Sequence, residues 1–137
     1  MDDFDFTQNY RDKWKDGFYI VRYGFFIDKD NYVFHRLDGP ACVYRDGRED
    51  YFVGDERHRI DGPAIYVPHN EKENKYYQNG QRHRVDGPAA WHYQYMPSSL
   101  EDEFTPQYYL RGHSVSREQL VLNSLITHLK VYEGEQR

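Results

Sequence analysis

Histidine, arginine and aspartate recur together three times in this chain, as His35-Arg36-Leu37-Asp38, His58-Arg59-Ile60-Asp61 and His83-Arg84-Val85-Asp86. Each string continues as Gly-Pro-Ala, closing at Ala41, Ala64 and Ala89. An imidazole near a carboxylate is the material of general acid–base catalysis, and three imidazoles are the material of a zinc site. Neither chemistry fits the spacing. On an extended strand side chains alternate between faces, so a His and the Asp three residues on point to opposite sides. Equivalent residues of successive hairpins lie two strands apart, roughly 9–10 Å, whereas zinc holds its nitrogens at about 2.0–2.1 Å. No Ser or Cys nucleophile sits at a distinctive turn. A catalytic site also needs one copy, and here there are three. The expectation is therefore no enzyme, no metal and no cofactor.

Seven identical or near-identical residues at this period define a repeat architecture. The second and third copies align without a gap over Tyr51–Ala64 and Tyr76–Ala89, with eight of fourteen positions identical. Asn79-Gly80 is a two-residue hairpin signal, because a type I′ turn needs positive φ at both centres. Gly54-Asp55 takes the same place in the earlier copy. Short aromatic segments between such turns read as an antiparallel meander. Upstream, Phe18–Tyr23 and Phe25–Ile27 have strand composition, interrupted at Gly24 and stopped by the turn cluster Asp28–Asn31. Within the motif, period two places His58 with Ile60 on one face and Arg59 with Asp61 on the other. The filled aliphatic slot marks the His face as the packed one, with the imidazole bonding a carbonyl of the Gly-Pro kink. Arg36, Arg59 and Arg84 are expected to form a ladder with Asp38, Asp61 and Asp86 of neighbouring hairpins.

Composition agrees with a thin folded sheet. Mean hydropathy is −1.04 and charged residues make up 30%, values that border on disorder, yet 14 Tyr and 8 Phe are present. Disordered chains are poor in aromatics, which here bury large areas while keeping one edge wet. The net charge of −5 has no long block of one sign, so there is no electrostatic footprint for nucleic acid. Cys42, the only cysteine, aligns with Ile65 and Ala90 and reads as a small packing residue. No apolar run approaches the roughly 20 residues of a membrane helix, and the Met1-Asp2-Asp3-Phe4 start lacks a secretion signal. No membrane insertion is expected, and the expected setting is cytoplasmic.

After Tyr108–Gly112 the motif fails. Ser116 begins a helix with Gln119 at the capping-box position, and Leu122, Leu125, Ile126 and Leu129 form an apolar stripe expected to cover the last strand. The organisation read from the sequence is a single repeat domain over residues 1–137. It comprises an N-terminal arm with strands (1–31), three copies plus a degenerate fourth (32–115) and a capping helix (116–133). The stretch 94–107 reads as a long connection, and its acidic Glu101, Asp102 and Glu103 are candidate binding residues.

Tyr76–His83, Tyr-x-x-Asn-Gly-x-Arg-His, resembles the hairpin repeat called MORN (membrane occupation and recognition nexus). Arg-x-Asp-Gly-Pro-Ala stands where that family has Gly-x-Gly. This variant is similar to His-Arg-x-Asp-Gly-Pro-Ala repeats of phage, large-virus and bacterial proteins, and the likeness spans about residues 32–129. The resemblance implies a mostly β fold, a single elongated antiparallel meander of stacked hairpins with a C-terminal capping helix. It also implies scaffolding or protein binding, with no catalytic residue. The function expected is a non-catalytic protein-binding module, of a phage or viral kind, whose partner is a host protein such as a defence factor; the host cytoplasm is then its setting. A sheet edge or the helix could also make a homodimer. The alternative is binding of nucleotides or single-stranded nucleic acid on an aromatic and arginine-bearing face, with Tyr66, Tyr76, Tyr77 and Trp91 as stackers.

Overall fold

The computed structural model describes residues 9–10, 19–94 and 103–135. The chain is mostly β, built of antiparallel hairpins with one C-terminal helix. In order, the strands are β1 (Asn9–Tyr10), β2 (Tyr19–Phe26), β3 (Tyr32–Phe34), β4 (Cys42–Tyr44), β5 (Glu49–Asp50), β6 (Phe52–Val53) and β7 (Glu56–Arg57). There follow β8 (Ile65–Tyr66), β9 (Tyr77–Gln78), β10 (Gln81–Arg82), β11 (Ala90–Gln94), β12 (Glu103–Leu110), β13 (His113–Val115) and helix α1 (Arg117–Glu135). Six strands form one sheet, ordered β1-β2-β4-β5-β8 with β3 also on β2. β6 pairs with β7, β9 with β10, and β11-β12-β13 form a three-stranded sheet.

The expected two-residue turns are present. Asn79 and Gly80 have φ of 52° and 76°, and Gly54 and Asp55 have 56° and 68°. Arg111-Gly112 repeats the geometry at 50° and 82°, so the degenerate fourth copy keeps the turn after losing the motif. The Asp28 carboxylate accepts the Asp30 and Asn31 N–H groups and the Asn31 amide, which fixes the earlier turn. Gly24 does not interrupt its strand: β2 runs through it. Its missing side chain makes room for the Val33 carbonyl, which a Cβ would hit.

Backbone bonds close each copy on itself. The Tyr51 N–H donates to the Ala64 carbonyl and the His58 N–H to the Tyr51 carbonyl; Tyr76 does the same with Ala89 and His83. Tyr23 makes the same pair with Ala41 and His35. It is therefore the opening tyrosine of the first copy, hidden in the sequence by a longer turn. Ala41, Ala64 and Ala89 are fully buried, followed by buried Cys42, Ile65 and Ala90. Such small residues let neighbouring backbones approach closely, and they leave little apolar interior.

The motif itself corrects the expected ion-pair ladder. Arg36, Arg59 and Arg84 each bind the Asp of their own copy, at 3.1, 3.2 and 2.9 Å. Each also donates from Nη1 to the carbonyl of its own Pro, Pro40, Pro63 or Pro88, at 3.2 Å. The guanidinium carbon lies over the copy's tyrosine ring, 4.0 Å from Tyr23, 4.1 Å from Tyr51 and 4.0 Å from Tyr76. The glycine also lies against it, since a Cβ there would come within 2.7–2.9 Å of the same carbon. The contacts are local because these residues form a loop rather than an extended strand, so alternation of faces does not apply. Asp38, Asp61 and Asp86 are largely exposed, and such ion pairs contribute only about 0–1 kcal/mol. A hydrogen bond from a charged group, at about 1.5–3 kcal/mol, outweighs them. Stacking adds roughly 0.5–2 kcal/mol.

The glycine is thus required by close approach. Gly62→Ala forces Arg59 off Tyr51 or the backbone outward, and is expected to lower stability by about 1–3 kcal/mol. Pro63→Ala only restores freedom to the unfolded chain and costs about 0.4–1 kcal/mol. Denaturation midpoints of the two variants test this order.

Candidate functional site

The His and Arg side chains of the repeated motif are engaged in holding backbone, and the Asp carboxylates bind the arginines. The imidazoles do not donate to a carbonyl of the kink, as expected from sequence; they accept. His35 Nδ1 takes the Gly54 N–H, His58 Nδ1 the Asn79 N–H and His83 Nδ1 the Arg111 N–H, all at 2.9 Å. Each histidine therefore pins the first turn residue of the next hairpin through its Nδ1 lone pair. Among the described residues, no group of three or more His, Cys, Asp or Glu side chains is placed to hold a metal. Cys42 is buried, which pushes its thiol up to about 12, with Asp50 adding to the effect; the residue packs and does not ionise.

The aliphatic slot is the second correction. Leu37 is 80% exposed, Ile60 78% and Val85 48%. The loop turns this side chain outward while the following alanine takes the interior. Buried Asp50 went unrecognised in the sequence: its carboxylate accepts the Tyr44 hydroxyl at 2.8 Å and the Arg48 guanidinium at 3.2 and 3.3 Å. It belongs to no copy of the motif, so repetition gave no signal for it.

The four candidate stacking aromatics do not come together. Tyr76 is covered by Arg84. Tyr77 accepts from Arg82 Nε at 3.4 Å and faces Arg57. Tyr66 is exposed in β8. Trp91 alone lines a cleft of about 780 Å³, together with Arg48, Lys72, Lys75, Tyr93 and Phe104. Glu103 is exposed at the start of β12, and residues 103–107 are strand paired with β11 rather than connection. Pro106 is accommodated there because at its position β12 pairs with β11 alone. Glu101, Asp102 and residues 1–8 and 11–18 of the arm lie outside the described residues.

One wall of the cleft comes from the connection between the second and third copies. Asn70 caps a single 3-10 turn, Glu71–Glu73, by accepting the Lys72 N–H. Asn74 accepts the Val67 N–H at 2.7 Å. These bonds bring Lys72 Nζ to 5.6 Å from the Trp91 ring and 5.4 Å from Phe104.

Helix α1 begins as expected. Ser116 Oγ accepts the Gln119 N–H at 3.1 Å and Gln119 Oε1 accepts the Ser116 N–H at 2.8 Å. Its orientation is the third correction. Among the helix residues whose burial is described only Leu120 is buried, and Ser124 Oγ donates to the Val85 carbonyl at 3.2 Å. Leu122, Leu125, Ile126 and Leu129 do not cover the last strand; with Val121 they are 44–57% exposed. At 100° per residue, Leu120 and Ser124 fall on one side of the helix and this apolar stripe on the other. The helix rests on its more polar side.

The chain matches no family model, no curated protein and no solved structure.

Within the described residues, no helix is long and apolar enough to cross a membrane.

The His83 pin makes stability depend on pH. Burial, then the nearby Arg111 charge, holds His83 below its ordinary value of 6.5. The unfolded chain then binds more protons than the folded one across that interval, so stability rises with pH there. The His83 contribution is present above about pH 6.5 and is lost as pH falls through the lowered folded value. Denaturation midpoints from pH 7.5 to 5 should decline, and His83→Gln, which cannot be protonated, should flatten part of that decline.

Proposed function

We propose that this chain is a non-catalytic protein-binding module whose contact surface is the outward face of α1. The observation that supports this is the inverted helix: Val121, Leu122, Leu125, Ile126 and Leu129 are exposed while its polar side rests on the third copy. Burying such a face on a partner releases water from apolar surface at about 25 cal/mol per Å². The polar groups of the repeats are meanwhile consumed by their own backbone, which leaves them a structural role and leaves recognition to the parts that are not repeated. Exposed Leu37 and Ile60 extend apolar surface along the earlier copies.

Following the resemblance to phage and viral repeats, the partner is a protein of the host cell and the setting its cytoplasm. A homodimer through α1 is the competing outcome, read directly from solution mass. The module binds through side chains with three- and four-residue spacing, as an amphipathic helix laid into an apolar groove does.

Leu125→Glu places a charge in the centre of this face without touching a buried contact. Affinity capture from host lysate should recover a reproducible protein with the natural chain and lose it with Leu125→Glu, the melting temperature staying within about 2 °C. Equal capture by both, or none by either, would overturn the proposal.

A further inference from the structure

A second site lies away from α1, in the cleft over β11 and β12. We infer that this cleft binds a nucleobase joined to phosphate, as a free nucleotide or within a single strand. Its two halves carry the two chemistries such a ligand needs. Trp91 and Tyr93 share one face of β11 by the two-residue period. Phe104 pairs directly across from Tyr93, with ring centroids 5.3 Å apart. These rings form an aromatic wall, with Tyr93 and Phe104 inclined at 57° and the surface partly open to solvent, that offers separate ring faces on which a base can stack.

Lys72 stands over Trp91 and Phe104, and Lys75 and Arg48 line the same cleft. Arg48 is neutralised by Asp50, whereas neither Lys72 nor Lys75 has a carboxylate partner among the described residues. Glu73 is the one other carboxylate on the cleft wall. A chain of net charge −5 thus places excess positive charge beside an aromatic surface. Lys72 Nζ stands 5.6 Å from the indole centre, so a base on Trp91 and a phosphate at the lysines need only a sugar between them. About 780 Å³ is within the range of small-molecule pockets, about 300–1,000 Å³. The 3-10 turn that carries Lys72 is held by Asn70 and Asn74, so the lysine is positioned before any ligand arrives.

The test uses the full chain with Trp14→Phe, which leaves Trp91 as the single indole of the two. Its fluorescence is titrated with AMP, ATP, adenosine, inorganic phosphate and a twelve-residue oligothymidylate, at low and raised salt. AMP or ATP should quench Trp91, with adenosine and phosphate at least about tenfold weaker, and salt should weaken binding. A tighter oligothymidylate identifies single-stranded nucleic acid as the source; a tighter mononucleotide identifies the free ligand. Lys72→Ala and Lys75→Ala, exposed or half-buried and safe for folding, should each weaken binding about tenfold. Leu125→Glu should leave it unchanged, which separates this site from the helix face. Absence of quenching by every probe, or binding that survives both lysine substitutions, would overturn the inference.

Discussion

A guanidinium packed against both a tyrosine ring and a glycine is the contact on which the rest of the structure depends. It occurs three times, with ring distances of 4.0, 4.1 and 4.0 Å. A small interior cannot supply enough apolar burial to offset chain entropy. Among the described residues the largest fully buried side chains are Asp50 and Cys42. Flat stacking of Arg on Tyr replaces part of the missing core, and the fork of the guanidinium ties the Asp and the Pro carbonyl in one plane. A lysine cannot do this, because its ammonium neither stacks nor forks. The glycine is the consequence, since no side chain fits beside the stacked group.

The histidine then joins one clasp to the next. Each imidazole accepts an N–H from the turn of the following hairpin, while the arginine N–H of each copy donates onward to Phe52, Tyr77 or Tyr109. The copies are locally closed and serially linked, as expected for arrays whose units contact only their neighbours.

Much of this is legible in the sequence, and what is not has identifiable physical causes. The turns at Gly54-Asp55 and Asn79-Gly80, the capping box at Ser116 and the packing role of Cys42 follow from local rules and are present as read. The outward Leu37 and Ile60, the arginine bound within its own copy and the accepting histidines were misassigned because the motif was treated as extended strand. Alternation of faces holds only along a strand, and Gly-Pro sits in a loop. Tyr23 escaped notice because its copy has a longer turn. The stripe of α1 was recognised, but a sequence pattern does not say which side of a helix meets the sheet; a polar side anchored by Leu120 and Ser124 has no periodic signature. The cleft was out of reach because its lysines and aromatics are brought together by the 3-10 turn and by pairing of β11 with β12.

Function accordingly lies in what is not repeated, with the clasps as its frame. The most direct check of that division is the thermal midpoint of Arg59→Lys, measured beside capture of partner at a temperature below its transition. The account predicts a midpoint lower by several degrees, with partner capture retained by the folded variant. An unchanged midpoint accompanied by loss of capture would contradict it, and would make the repeated arginine part of the binding surface.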